Sequence, residues 1–305
     1  MEKRKAKLAK RKSSPGDTDD MAGYRAAKLQ RKKAAGVAKQ KRKDQAKIKK
    51  DEFKFDCIFK DCPVVSDKPI FSIIAPSVRS SFKGFYDNIK TDKLPFEIIW
   101  VGPHEPAERL PDNFRHIKTD VKPTQCMEIA AREATGEYLI TGYDDLMFNE
   151  HYLEMMYWYL LRFNMDKVLF LNRFQIGRGV FEYCAFWSPP HNIPLTMAVF
   201  MIKRSLWNEM GGIDKRYDTI FWDVDFQLRC YERGMSPFIV PECLATEWDA
   251  SSMTDGKPRM TERPSAKAQQ DFTTSLWMPD GLTFTGKRSS PVQSFSDNDI
   301  MITDQ

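Results

Sequence analysis

The sequence predicts an α/β fold: a mostly parallel sheet flanked by helices, with a basic N-terminal arm and an irregular C-terminal tail. Short apolar runs alternate with segments of helical pattern after residue 53, and this alternation is typical of βαβ units. The 305 residues are 42% hydrophobic and 12% aromatic, which is enough for a sizeable core. Because the composition shifts twice, we expect an arm over 1–52, one domain over 53–250, and a tail over 251–305 that either wraps the domain or is loose.

The arm differs from the rest of the chain in charge and in aromatic content. Residues 1–50 carry 19 Lys or Arg against 5 Asp or Glu, a net charge of +14, whereas the whole chain has +5 and the remainder therefore −9. Tyr24 is its one aromatic residue, and too few apolar positions are present to bury a helix face, so we expect a disordered or transiently helical arm. Clustered cations release counterions when they bind phosphates, so a polyanion is the expected partner; DNA is favoured and an anionic membrane is the alternative.

Several protein classes are excluded. No run approaches about 18 apolar residues, so no transmembrane segment is expected. The basic N-terminus has no apolar region behind it and is not a secretory signal. The six cysteines lie among apolar segments and favour reduced, buried thiols in a cytoplasmic protein.

The first elements follow from apolar runs and the residues that end them. Residues 69–77 form an apolar run that ends in Pro-Ser and predicts a strand. Residues 80–89 suit a helix, and 96–103 form a second apolar run that predicts a second strand. A shorter third strand is predicted over 115–119.

The middle of the chain predicts two helices around a strand. The Ala, Glu, Met and Arg content of 124–135 favours a helix, for which Gly136 is a typical stop signal. Residues 137–146 predict a strand that runs into an acidic turn. Apolar side chains recur at helical spacing over 150–163 and predict a helix with one buried face.

The last third of the domain continues the alternation. Strands are predicted over 167–174, 195–203 and 236–242, and helices over 205–212 and 223–234. In the polar tail, the evident apolar anchors are Phe272, Leu276, Trp277 and Phe284.

Three predicted strand ends or turns carry polar residues suited to chemistry: Ala75-Pro76-Ser77, Tyr143-Asp144-Asp145 and the turn from Trp222 to Asp225. In an open parallel sheet, ligands gather at the carboxyl ends of the strands. Adjacent aspartates repel unless water, an arginine or a cation neutralises them, and hard carboxylate oxygens suit Mg or Mn. The alternative is that the Asp-Asp pair caps the next helix and solvates a turn.

The segment over 201–242 resembles the acceptor-side segment of family 2 glycosyltransferases, which have the GT-A fold. The matching residues are Gly211, Gly212, Ile213, Asp214, Asp223, Asp225, Leu228, Arg229, Gly234, Pro241 and Glu242. FSIIAPS is similar to the first strand of that family, and GEYLITGYDD is similar to its strand that ends in a metal-binding D-x-D. The resemblance covers about residues 69–245.

The resemblance implies a GT-A type nucleotide-binding sheet in a metal-dependent, inverting enzyme that transfers a sugar from a nucleotide-sugar donor to an acceptor hydroxyl. It implies these roles: Asp223 as catalytic base; Ala75, Pro76, Ser77 and Asp144 as donor-binding residues; Asp145 as the ligand of Mn or Mg; Trp222 as an acceptor-stacking residue, with ordinary packing as the alternative. Asp225, in the first turn of the next helix, is expected to support that helix.

The sequence departs from the family pattern at three places. Tyr143 replaces the first aspartate of D-x-D, so fewer carboxylates are available for a metal. The second strand ends in Val101-Gly102-Pro103-His104 rather than in a nucleoside-binding aspartate, and Cys126-Met127-Glu128 replaces the usual Ala-Arg-Asn. The base and the sugar of the donor therefore stay open.

Three functions remain open at this point. The acceptor hydroxyl is expected on hydroxylated bases of DNA, because the arm favours a polyanion. The first alternative is a surface glycan or lipid precursor. The second is a catalytically inactive relative that binds nucleic acid.

Overall fold

The computed structural model describes residues 68–77, 83–91, 93–106, 109–163, 168–176, 179–181, 184–185, 194–195, 199–247, 264–281 and 283–300. The chain divides into two units, Met1–Val64 and Val65–Gln305, and every described residue belongs to the second. The basic arm therefore lies outside the described residues.

Eleven strands and seven helices lie in the described part of the chain. The strands are β1 (Phe71–Pro76), β2 (Phe96–Gly102), β3 (Phe114–Lys118), β4 (Tyr138–Thr141), β5 (Leu146–Phe148), β6 (Val168–Ile176), β7 (Gly179–Phe181), β8 (Cys184–Ala185), β9 (Pro194–Leu195), β10 (Phe200–Lys203) and β11 (Ser236–Glu247). The helices are α1 (Lys83–Ile89), α2 (Pro123–Glu133), α3 (Tyr152–Leu160), α4 (Arg204–Glu209), α5 (Trp222–Glu232), α6 (Pro264–Trp277) and α7 (Asp297–Ile300).

The main sheet is mixed, so the prediction of an α/β fold is confirmed but the prediction of a mostly parallel sheet is wrong. Its strand order is β3-β2-β1-β4-β10-β6-β11-β5, with β7 paired to β6, and β8 and β9 form a separate two-stranded sheet. The first four strands are parallel, β10 runs antiparallel between β4 and β6, and β5 and β7 pair antiparallel with β11 and β6. Phe200, Met201 and Ile202 of β10 are fully buried. An apolar run indicates that a strand is buried on both faces of a sheet, but it does not indicate the direction of the strand. The wrong prediction of a mostly parallel sheet has this cause.

Two predicted strands are each divided in the structure. The run predicted over 137–146 contains β4, the acidic turn and only the first residue of β5, and the two strands lie at different places in the sheet. The run predicted over 195–203 contributes the last residue of β9 and all of β10. The last strand, β11, continues to Glu247 through a register shift between Val240 and Leu244.

The pairing of the first strands brings their carboxyl ends to one edge. Ile74 of β1 lies opposite both Ile99 of β2 and Thr141 of β4. Gly102, the last residue of β2, packs so closely against the end of β1 that a Cβ there would collide with the carbonyl oxygen of Ser77. Glycine is therefore required at this position by space.

Aromatic side chains between the sheet and α5 form the centre of the core. The rings of Phe200 and Phe226 stack at 5.5 Å, and those of Trp207 and Phe226 stack at 4.6 Å. Each such side chain contributes about 1.5–3 kcal/mol when it leaves water. This packing fixes α5, the helix that begins with Trp222 and Asp223.

The C-terminal segment, residues 264–281 and 283–300, packs on the same core. Trp277 is fully buried and Leu276 and Phe295 nearly so, while Phe272 and Phe284 pack against the core from outside. Within the described part of the chain, no helix is long and apolar enough to cross a membrane.

Candidate functional site

The end of β1 is enclosed by its two neighbours. The Ser77 amide donates to the Val101 carbonyl at 2.8 Å, and the Gly142 amide donates to the Ile74 carbonyl at 2.9 Å. Ala75, Pro76 and Ser77 are all buried. The predicted donor-binding residues therefore end a rigid strand, directly beside the start of the acidic turn.

The acidic turn joins β4 to β5. Tyr143, Asp144 and Asp145 are partly exposed, and the Leu146 amide donates to the Tyr143 carbonyl at 3.2 Å, which closes the turn. Nowhere among the described residues do three His, Cys, Asp or Glu side chains gather as a metal site would require. Asp144 and Asp145 therefore do not by themselves form a complete cation site.

A side-chain hydrogen bond connects this turn to α5. Trp222 Nε1 donates to the Tyr143 hydroxyl at 3.1 Å. The Trp222 indole is only 1% exposed, with Phe200 and Trp207 at ring-centroid distances of 6.1 Å and 6.2 Å. In this structure Trp222 thus bridges the acidic turn and the helix, and its ring faces lie in the core rather than in an open acceptor groove.

Asp223 lies in the first turn of α5, immediately after this bridge, and is 8% exposed. Its helix begins after Phe221, which adopts a left-handed backbone with φ 63° and ψ −5°. That conformation is rare for a bulky residue and costs about 1–3 kcal/mol, so it persists only where the surroundings impose it. The residues next to Asp223 are therefore held in place by contacts from elsewhere in the chain.

Asp225 has a structural role, which confirms the expectation that it supports its helix. One of its carboxylate oxygens accepts hydrogen bonds from Trp277 Nε1 at 3.0 Å and from Arg288 Nε at 2.8 Å. The other accepts from Arg229 Nε at 3.0 Å. Asp225 is fully buried, so these cationic and indole donors replace the water that its charge would otherwise require.

Asp214 belongs to the same buried network. It accepts hydrogen bonds from Arg216 Nε at 2.9 Å and from Arg288 Nη2 at 2.6 Å. Burial of Asp214 opposes its ionisation, but the hydrogen bonds from the two guanidinium groups outweigh burial and hold the pKa of Asp214 below its ordinary value. Arg288 thus joins two buried aspartates, one before α5 and one within it.

The Gly-Gly turn before Asp214 has a left-handed backbone that favours glycine, and it packs against Glu128. Gly212 has φ 65°, and a Cβ there would collide with the Glu128 carboxylate. The same carboxylate accepts the Ile213 amide at 3.2 Å. Burial raises the pKa of Glu128, although the Ile213 amide and Arg132 oppose the rise. Glu128, one of the departures from the family pattern, therefore holds the turn that leads to Asp214.

The sequence did not predict that three residues of the C-terminal segment form hydrogen bonds with α5 or with the loop before it. They are Gln269, Trp277 as a hydrogen-bond donor, and Arg288. Arg288 lies 63 positions from Asp225, so no local pattern connects them. The available signal was chemical: two aspartates inside an apolar segment require cationic partners if the segment is buried.

Comparison with known proteins gives structural likeness only. No family model matches the chain, and no curated protein sequence matches it. Residues 1–349 of S. aureus TarS superpose with TM-score 0.47 at 14% identity, over 60% of this chain and 61% of that chain. The same protein in complex with UDP-GlcNAc gives 0.45 at 15%, over 62% and 61%. GalNAc-T7 with UDP, GalNAc and Mn²⁺ gives 0.46 at 12%, over 60% and 44%. This chain is thus similar to part of each of these structures and spans less than two thirds of their length.

Proposed function

We propose that this chain is a glycosyltransferase that uses a nucleotide-sugar donor and inverts the anomeric centre. The observation that carries the proposal is the hydrogen bond from Trp222 Nε1 to the Tyr143 hydroxyl at 3.1 Å. It joins the acidic turn to the helix that carries Asp223, while the pairing of β1 with β4 keeps Ser77 beside that turn. These contacts support a shared site for the three positions singled out in the sequence, at the edge where open parallel sheets bind ligands.

The donor is proposed to lie along the ends of β1 and β4. The rigid end of β1 at Ala75, Pro76 and Ser77 offers backbone groups and a hydroxyl to the nucleotide, and Asp144 is suited to hydroxyls of the sugar or ribose. Asp145 is proposed as a protein ligand of Mn or Mg, and the donor diphosphate would have to supply further oxygen ligands. A divalent cation held in this way would screen charge on the diphosphate.

Asp223 is proposed as the base. Its carboxylate accepts the proton of the acceptor hydroxyl while that oxygen bonds to the anomeric carbon. The bond from the anomeric carbon to the diphosphate oxygen breaks, and the nucleoside diphosphate leaves with the electron pair. With Asp223 as the base and no nucleophile proposed among the described residues, the reaction is proposed to be a single displacement, which inverts the configuration.

The acceptor is proposed to be a hydroxylated base in DNA, because residues 1–50 carry a net charge of +14 and the remainder of the chain −9. Such a base has to rotate out of the base stack of the duplex to reach a bound donor. Binding of duplex DNA, compared with anionic vesicles over a range of salt concentrations, tests the acceptor. DNA binding that depends on residues 1–50 supports the proposal, whereas dependence only for vesicles favours a lipid-linked acceptor.

A donor screen read by mass spectrometry tests the activity. The full chain is incubated with a panel of nucleotide sugars that includes UDP-GlcNAc, with Mn²⁺ or Mg²⁺ and again with chelator. We expect hydrolysis or transfer with at least one donor, and its loss in Asp223→Asn. Asp271→Asn is the matched control, because it makes the same chemical change at an exposed position on α6. No turnover of any donor, or equal turnover by Asp223→Asn, would overturn the proposal.

A further inference from the structure

One side chain from the C-terminal segment binds three consecutive backbone amides of the loop before α5. Gln269 Oε1 accepts three consecutive backbone amides, from Asp218 at 3.1 Å, Thr219 at 3.0 Å and Ile220 at 3.2 Å. These residues form bends without helix or strand pairing. These residues are partly buried, and the Gln269 carbonyl supplies their amides with the hydrogen-bond partner that secondary structure would otherwise provide.

The other end of the Gln269 amide is also held. Its Nε2 donates to Thr219 Oγ1 at 3.4 Å and to the Ser265 carbonyl, one turn earlier on α6, at 3.3 Å. Gln269 is 6% exposed, so water has little access to these groups. The side chain is therefore fixed on its own helix before it meets the loop.

A second contact from α6 holds the same loop two residues before Thr219. The hydroxyls of Tyr217 and Thr273 are 2.9 Å apart in the buried interface, and Thr273 lies one helical turn after Gln269. On the opposite side, the Thr124 hydroxyl donates to the Tyr217 carbonyl at 2.7 Å. The loop is thus clamped between α6 and α2, and Phe221 and Asp223 follow directly.

We infer that Gln269 is a positioning residue for Asp223. The three amides that it binds end one residue before Phe221, whose left-handed backbone sets the direction in which α5 begins. Without this anchor, the loop loses the contacts that impose the strained conformation, and the Asp223 carboxylate loses its fixed place relative to the acidic turn. The inference rests on the proposed function, since Asp223 is the proposed base there.

The test compares Gln269→Ala with Gln270→Ala in the full chain. Gln270 is the adjacent residue on α6 and is exposed, so the control makes the same chemical change without touching the loop. Hydrogen exchange of the peptide that contains 218–223 is measured by mass spectrometry. We expect exchange of these amides to rise about tenfold or more in Gln269→Ala and less than about twofold in Gln270→Ala. Unchanged exchange in Gln269→Ala would overturn the inference, whatever the activity.

Steady-state kinetics distinguishes a role of Gln269 in positioning Asp223 from a role only in stabilising the fold. With a donor that the wild type turns over, we expect Gln269→Ala to lower kcat about tenfold or more while the donor KM stays within about twofold, because the proposed donor contacts lie at the ends of β1 and β4. Gln269→Glu keeps an oxygen acceptor for the three amides but loses the donor to the Ser265 carbonyl, so it should restore part of kcat. Faster exchange with unchanged kcat would overturn the positioning role.

Two further outcomes remain distinguishable. If Gln269→Ala does not fold, Gln269→Asn is measured in its place, because its shorter side chain keeps the amide but does not reach the loop. If the wild type turns over no donor, the proposed function fails and the catalytic part of the inference falls with it. The exchange data alone then decide whether Gln269 anchors the loop.

Discussion

Replacement of Arg288 by methionine tests the buried ionic network directly. The guanidinium binds Asp225 at 2.8 Å and Asp214 at 2.6 Å, and both aspartates are fully buried. Methionine fills similar volume but leaves each carboxylate with one arginine fewer. Removing one partner of a buried ion pair costs about 3–5 kcal/mol. Because Arg288 serves two carboxylates, we expect a loss in the free energy of unfolding within or above that range.

The loss should depend on pH in a defined direction. In the wild type the pKa of Asp214 is lowered in the folded state, so its contribution is present above the unfolded pKa and is lost as pH falls through the folded pKa. Without Arg288 that folded pKa rises, and protonation relieves the uncompensated charge. The difference between wild type and Arg288→Met should therefore be largest near neutral pH and shrink below the ordinary aspartate range.

Urea denaturation at pH 7 and at acidic pH measures both effects. Arg233→Met is the matched control, because Arg233 pairs with Glu209 at 2.6 Å but both side chains are exposed, and such pairs contribute about 0–1 kcal/mol. A loss at Arg288 no larger than at Arg233, or a loss that grows as pH falls, would refute this account of the network.

Three further perturbations have defined outcomes. Gly102→Ala should destabilise the protein by about 1–3 kcal/mol and weaken donor binding, because the new Cβ would displace the Ser77 carbonyl. Urea denaturation and nucleotide titration measure the two effects, and an unchanged free energy of unfolding would contradict this. Tyr143→Phe should cost about 1–3 kcal/mol, since the buried Trp222 N–H loses its acceptor, and an unchanged urea midpoint would count against that bond. Burial raises the pKa of Cys230 to about 12, so its thiol should resist alkylation at pH 8 until urea unfolds the chain. Peptide mass spectrometry measures the labelling, and rapid labelling of the native protein would disprove the burial.

The sequence could predict where elements lie but not how the strands are directed. Apolar runs and helical patterns are local, and they located β1, β2 and α5 to within a few residues. The direction of β10 is seen in its antiparallel pairing with β4 and β6, which no pattern within the four residues Phe200–Lys203 encodes. The strand β5 was likewise not predicted, because it is only three residues long and pairs with β11, which lies far along the chain.

The candidate site shows the same division between local and distant causes. The ends of apolar runs marked Ser77, Asp145 and Asp223, because a strand end or helix start is a local event. The role of Trp222 stayed open, since an aromatic residue beside an acid suits packing or sugar stacking; burial and the bond to Tyr143 favour packing. Gln269 could not be recognised, because its partners are backbone amides about 50 positions earlier.

The acidic residues around α5 therefore serve two physical purposes. Asp214 and Asp225 are charges neutralised by arginines inside the protein, and they stabilise the join between α5 and the C-terminal segment. Asp223 lies two positions before Asp225, and residues two apart point to nearly opposite sides of a helix. It therefore leaves the helix on a different side from the network, next to the residue that is bonded to the acidic turn. Loss of transfer in Asp223→Asn at unchanged stability would thus report on the chemistry, whereas the same substitution at Asp225 would report on the fold that holds the chemistry in place.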